Sequence, residues 1–351
     1  MAFSSVPMES KSMINRAGEI LVRNTPLLDD VPAARNLVER WRACHAYPIN
    51  TFQATLRKKL QRYHDPIAAQ RLKRMPTIID KLQRYPTMTL TSMQDIAGIR
   101  AILPSVADVY RLADEYRNNR RFVHELIGQK DYIAEPKDED GYRSLHLIYR
   151  YKNKQNNRYD GLKLEMQIRT KLQHTWATAV ETMETFLGQA LKSRKGNQQW
   201  RDFFAIVSSA FAHMENATPV PRFSSLSERE TIKACVKAEA GLGALERMRG
   251  FSIAVNAIAQ HTEKQKSWFY HLIVLKSLEK AVEIRAYDRD SFKRAVTDYG
   301  KLEAEAAQGV KIEPVLVSAG PIGKLRRAYP NFFLDIKEFI GIVNKMISEP
   351  S

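Results

Sequence analysis

Between residues 162 and 169 polar and apolar side chains alternate: Glu165, Gln167 and Arg169 are interleaved with Met166 and Ile168. On an extended strand these two sets point to opposite faces. An acid, an amide and a cation sharing one face of a core-like strand are costly to bury unless they pair or line a cleft. This short segment therefore demands a sheet with one apolar face and one polar face that is paired or open to a cleft.

The rest of the chain supplies partners for that strand. Residues 96–103 are apolar and β-branched and stop at Pro104, and further strands are expected at 122–133 and 144–151. Helical spacing predicts helices within 13–62, interrupted at Pro48, then at 66–85, 106–118 and 171 to about 191. Residues 193–197 have linker chemistry. Beyond them, helices are expected at 198–216, 226–247, from Phe292 through Leu302, and at 331–347, with strands at 268–275, 281–287 and 315–317. The fold class is α+β, a mixed central sheet flanked by helices with a second, smaller α+β C-terminal domain. A length of 351 residues suits more than one domain. The expected divisions are 1–195, a helical connector at 196–265, and a small unit at 266–351.

Charge narrows the partners. Fifty-five Lys and Arg against 39 Asp and Glu leave a net charge of +16, which favours a polyanion and nucleic acid foremost. No run of about 18 apolar residues and no basic amphipathic helix with exposed Trp and Leu stands out, so no membrane partner is expected. The first dozen residues lack the order of a secretory signal. Cys44 and Cys235 are the sole cysteines, which excludes a disulfide framework or a cysteine-rich zinc site and suits a cytoplasmic location.

Four clusters carry chemistry. Arg71 and Lys73 are followed by Thr77 and Lys81, which on one helix would share a face with Lys73, a row suited to a polyphosphate. Asp95 precedes the apolar strand that contains Arg100 and can hold a hard cation. Lys130-Asp131-Tyr132-Ile133, Pro136-Lys137 and Gly141-Tyr142-Arg143-Ser144-Leu145-His146 place cations, an aromatic ring and a histidine around a glycine loop. That combination suits base stacking with phosphate pairing. Glu165, Gln167 and Arg169 complete the set. Taken singly, each cluster also fits a structural role: a solvated basic face, a turn aspartate, a core tyrosine, a structural histidine.

In order and spacing, these blocks together resemble the RelA/SpoT synthetase family over residues 30–195. Its pattern runs Arg-x-Lys with a downstream Ser and Lys, Asp-x-x-Gly-x-Arg, Lys-Asp-Tyr-Ile-x-x-Pro-Lys, Gly-Tyr-Arg-Ser-Leu-His and Glu-x-Gln-Ile-Arg-Thr. Thr77 stands where the family usually has Ser, and Asp138-Glu139-Asp140 lengthens the loop before Gly141. The resemblance implies pyrophosphate transfer from ATP to a ribose 3′-hydroxyl. Arg71, Lys73, Thr77, Lys81, Arg100 and Lys137 would hold ATP, and Asp95 and Glu165 would bind Mg²⁺. Glu165 would also serve as general base and Tyr142 would stack on the acceptor base. Lys130, Lys137, Arg143, His146, Gln167 and Arg169 would position acceptor or phosphates. His64-Asp65 matches a dipeptide of the family's hydrolase domains, but without an upstream histidine partner it reads as a boundary before Pro66.

Two acceptors are implied, a guanosine nucleotide (GDP or GTP) or the 3′-CCA end of tRNA. Charge favours tRNA, with Arg57, Lys58, Lys59 and Arg62 as its grip. The stretch Leu325-Arg326-Arg327-Ala328-Tyr329-Pro330-Asn331-Phe332-Phe333 is similar to the end of fused toxin–antitoxin members of the family. That likeness implies a C-terminal pseudo-zinc-finger part that covers the ATP site through Tyr329 and Phe332. In such anti-phage defence proteins, a phage capsid protein releases this cover. Deleting residues 250–351 is then expected to raise toxicity.

Overall fold

The computed structural model describes residues 3–23, 30–119, 122–187, 194–264, 268–276, 279, 281–318 and 332–348. The alternating segment is strand β5 (Lys163–Thr170) of a five-stranded sheet. Its companions are β1 (Ile67–Leu72), β2 (Ala97–Leu103), β3 (Glu125–Asp131) and β4 (Leu145–Arg150), in the order β1-β2-β5-β4-β3. β2 and β5 run parallel and the other pairs are antiparallel, so the sheet is mixed, as expected. Met166 and Ile168 are wholly buried, whereas Glu165 and Gln167 on the opposite face are partly buried. Helices α1 (Lys11–Arg23), α2 (Val31–Cys44), α3 (Ala46–Leu60), α4 (Met75–Arg84) and α5 (Val106–Arg117) belong to this part. α3 packs on β1 and β2, and α5 on β2 and β5.

Three local expectations are corrected. Residues 66–85 are not one helix but β1 followed by α4. Pro76 sits in the first turn of α4, where its missing N–H costs nothing, and so fixes the helix start there. Lys73 therefore lies ahead of the helix and only Thr77 and Lys81 are on it. The break near Pro48 falls at His45, and Pro48 lies inside the first turn of α3. The expected helix at 226–247 is two helices, α8 (Glu228–Leu242) and α9 (Ala244–Lys264), parted by Gly243 at φ +62°.

The chain divides into two compact units. One comprises Met1–Ala134 with Arg143–Lys171, the other Glu135–Tyr142 with Leu172–Ser351. The second unit contains α6 (Lys171–Leu187, from its second residue), α7 (Arg194–Met214), α8, α9, α10 (Phe292–Ala307) and α11 (Phe332–Ser348). It also holds a three-stranded sheet of β6 (Trp268–Lys276), β7 (Ala281–Asp288) and β8 (Ile312–Ser318) in the order β7-β6-β8, the small C-terminal sheet expected. Period-two alternation gives β6 two apolar faces. Ile273 and Leu275 join Phe204, Phe211, Phe251 and Phe339 in one cluster, while Leu272 and Val274 join Ala295, Leu302 and Leu316 in another. Among the described residues no helix is long and apolar enough to cross a membrane.

Candidate active site

The polar face of β5 is assembled by register. Gly98 lies between Arg71 on β1 and Glu165 on β5, and Arg100 lies opposite Gln167, which is opposite His146, which is opposite Lys130. Residues paired across strands share a face, so these groups form two short rows. A hydrogen-bonded chain runs along them. Arg100 donates to Gln167 Oε1 at 3.1 Å, Gln167 Nε2 donates to Glu165 Oε2 at 2.9 Å, and His146 Nδ1 meets Glu165 Oε1 at 3.1 Å. The cost of a polar face is thus met by pairing. Among the described residues a Cβ at Gly98 would make an ordinary contact with the Arg71 carbonyl oxygen, at 3.5 Å, so a side chain there would not be crowded.

Asp95 stands just before β2. Its Oδ2 accepts from both Lys73 Nζ and Lys81 Nζ at 2.8 Å. Lys73 is itself buried and is tied to the same turn by its backbone N–H, which donates to the Ile96 carbonyl at 2.8 Å. Burial alone would push the Asp95 carboxyl up, but the two ammonium groups outweigh it and hold it below its usual range. Burial, with repulsion from Lys81 and Arg71, draws Lys73 down against the pull of Asp95. Glu165 also ends below its usual range: burial and the nearby Asp95 charge raise it, while His146 and Gln167 more than compensate. Two ionised carboxylates therefore sit within reach of one another's field. The other oxygen of Asp95, Oδ1, is buried and has no hydrogen-bond partner among the described residues.

That orphaned acceptor suits a hard cation. Among the described residues no group of three or more His, Cys, Asp or Glu could hold a metal. Mg²⁺ does not need one, since it commonly takes one or two carboxylates and completes its shell with water and substrate phosphate. By donor type, Asp95 with its orphan oxygen and Glu165 fit it.

The other sequence candidates fall in several places. Arg71 is exposed at the end of β1, Thr77 is half-buried on α4, and Lys130 is exposed on β3. Arg143 and Arg169 are buried, each only 2% exposed. Lys137 and Tyr142 belong to the second compact unit, where the Lys137 ammonium lies 5.4 Å from the centre of the Tyr142 ring. Arg57 and Lys58 are exposed near the end of α3. Lys59 instead donates to Glu115 at 3.0 Å, and Arg62 lies 3.6 Å from the same carboxylate, so half of that basic stretch is already countered. His64 and Asp65 are exposed in the turn after α3. Tyr329 and the side chain of Phe332 lie outside the described residues. Sequence reasoning missed Ser208, which holds the Gly141 carbonyl. No local motif marks it, because its partner is 67 positions away.

This site coincides with a known region. Residues 70–184 match the family model for the region found in RelA/SpoT proteins. Among curated relatives, the GTP pyrophosphokinase YwaC of Bacillus subtilis is 34% identical over 122 residues, which is 33% of this chain and 57% of that protein. The GTP pyrophosphokinase YjbM of the same organism is 35% identical over 119 residues, 33% of this chain and 55% of that one. The chain thus spans little more than half the length of these relatives. Among solved structures, small alarmone synthetase 1 of Bacillus subtilis bound to its product pppGpp aligns with a TM-score of 0.43 at 24% identity, covering 52% of this chain and 94% of that one.

Proposed function

We propose that this chain is a pyrophosphokinase that transfers the β,γ-pyrophosphoryl group of ATP to a ribose 3′-hydroxyl. The observation that carries this reading is the pair Asp95 and Glu165: two ionised carboxylates, one with a buried orphan oxygen, with Gly98, which has no side chain, paired beside Glu165. Arg71, Lys73, Lys81 and Arg100 supply the positive charge that a triphosphate needs. Bound at Asp95 and Glu165, Mg²⁺ would neutralise phosphate charge and help align the reacting groups. The acceptor oxygen forms a bond to the β-phosphorus as the bond from that phosphorus to the α,β-bridging oxygen breaks. AMP leaves with the bonding electrons, and the hydroxyl proton passes to a carboxylate or water. A carboxylate held below its usual range is a weak base, so Glu165 serves first as a charge and ligand and only second as a proton acceptor. Phosphoryl transfer through a loose transition state tolerates this, because positioning and electrostatics provide most of the rate.

Of the two acceptors, a guanosine nucleotide has the support of two curated relatives that are named GTP pyrophosphokinases. The 3′-CCA end of tRNA is the second reading, favoured by the net charge of +16 and by Arg57 and Lys58 standing exposed. With that second reading goes a toxin restrained by residues 266–351 and released by a phage capsid protein, with Tyr329 and Phe332 as the cover. Incubation with labelled ATP and either GDP or bulk tRNA tests both. Label on GDP supports the first acceptor and label on tRNA the second. Absence of label from every acceptor, with the capsid protein added as well as without it, would sink the proposed activity.

A further inference from the structure

The loop 135–142 carries Lys137 and Tyr142, yet it is built into the second compact unit, not the sheet unit that holds the carboxylates. Inside that unit it is fastened at several points. Ser208 on α7 is buried, and its hydroxyl donates to the Gly141 carbonyl at 2.6 Å. Gly141 has φ +83°, and a Cβ there would fall 2.8 Å from Ser208 Cβ and 2.9 Å from Ala205 Cα, so only glycine allows this approach. The loop also closes on itself: the Gly141 N–H donates to the Lys137 carbonyl at 2.8 Å, and Asp140 Oδ1 accepts from the Tyr142 N–H at 2.9 Å. Further along, Asp138 Oδ1 accepts from the Arg222 N–H at 2.9 Å, while the Arg222 guanidinium is held by Asp202 at 2.9 Å. The Tyr142 ring, packed on the apolar cluster of this unit, has its centre 6.4 Å from that of Trp176.

We infer that Ser208 is a positioning residue for the acceptor: it latches the 135–142 loop to α7, so that the second unit sets how well Tyr142 receives the acceptor nucleoside. This inference rests on the pyrophosphokinase reading above. A stacking ring on a free loop must be ordered each time a ligand arrives, and that ordering weakens binding. A ring on a loop tied at Gly141 and Asp138 has already been ordered by folding. The latch bears first on the acceptor, since Lys73, Lys81 and Asp95 are held by one another.

The test uses full-length Ser208→Ala, with GDP as acceptor. Removing the hydroxyl leaves the Gly141 carbonyl without this donor, so the acceptor KM should rise about 5- to 30-fold while the KM for ATP and kcat stay within about twofold. Hydrogen exchange provides a readout that does not depend on turnover: the amides of Gly141 and Tyr142 should exchange faster in the variant, and those of β2 and β5 should not. Asp138→Ala, a change at an exposed site, should move both readouts in the same direction by less. Unchanged exchange at Gly141 and Tyr142 overturns the latch whatever the activity shows. Faster exchange with an unaltered acceptor KM, or equal rises in both KM values, overturns the positioning role. If the wild-type chain modifies no acceptor at all, the functional reading falls, and the exchange data still decide whether the latch exists.

Discussion

The proposed triphosphate groups of the sheet unit and the proposed acceptor loop of the second unit are held in opposite ways. On the first, charge is fixed by contacts among the sheet, the turn that feeds it and α4: Lys73 and Lys81 clasp one oxygen of Asp95, and His146 and Gln167 clasp Glu165. On the second, an aromatic ring and an ammonium ride on a loop whose fastenings come from helices of the other unit. A group that must meet the same ligand in every cycle is well served by rigid local pairing. A group that chooses among acceptors, or is to be governed, gains from support that comes from elsewhere.

Breaking the first side should cost most. Asp95→Asn should lower kcat on the order of 10³-fold with any acceptor, as judged by release of AMP from labelled ATP. It should also lower Tm, because the buried Lys73 ammonium loses its counter-charge. Retention of activity within about tenfold would remove the metal-binding role of this residue. On the second side, Tyr142→Ala should reduce kcat/KM for the acceptor about 10- to 100-fold, given the usual worth of base–aromatic stacking, and leave the KM for ATP alone. Equal damage to both KM values would erase the contrast between the two sides.

Acid titration sharpens the contrast. Asp95 and Glu165 have folded pKa values below their ordinary ones, so each contributes stability that is present above the ordinary carboxylate range and lost as pH falls through the lowered values. The unfolding free energy should therefore hold steady from neutrality to about pH 5 and fall below it, and Asp95→Asn should flatten that acid limb. Tyr142→Ala should leave the limb unchanged. Denaturant melts across this range give the answer. The smallest effect belongs outside both sides. Arg57→Ala with Lys58→Ala should weaken tRNA binding severalfold and cut its salt slope by about 0.7–0.9 per lost phosphate contact, with no effect on GDP. Lys59, engaged by Glu115, is a poor choice for the same purpose.

The sequence made the alternation on β5 legible because burial on one face and pairing on the other both leave a mark two residues apart. It also placed Asp95, Glu165, Gln167 and His146 near enough in kind for the structure to bring them together. β1 was illegible for the converse reason. As an edge strand with Ile67, Gln70 and Arg71 exposed, it has no alternating face, and the cations that follow happen to be spaced like a helix. Gly243 did carry a signal, a glycine at the end of a periodic run, and the structure uses it to end α8. Gly141 carried half of one: its need for positive φ could be suspected, but the pressure of Ala205 and Ser208 against it exists only after folding. The pairing of one basic stretch with Glu115, and of two lysines with one aspartate, is likewise a property of the assembled chain.

The apolar cluster beneath the loop has a practical consequence for anyone who trims this protein. Phe204 and Phe211 of α7 rest on Phe339 near the C-terminal end, at centroid distances of 6.0 and 5.9 Å. Removing residues 250–351 in search of an unrestrained toxin would strip that support from the helix bearing Ser208. A shortened chain could then look harmless through a slack nucleoside platform even where a genuine brake had been lifted. Point changes on the outer surface of the C-terminal unit, which spare its interior, offer the cleaner way to ask whether it restrains the rest.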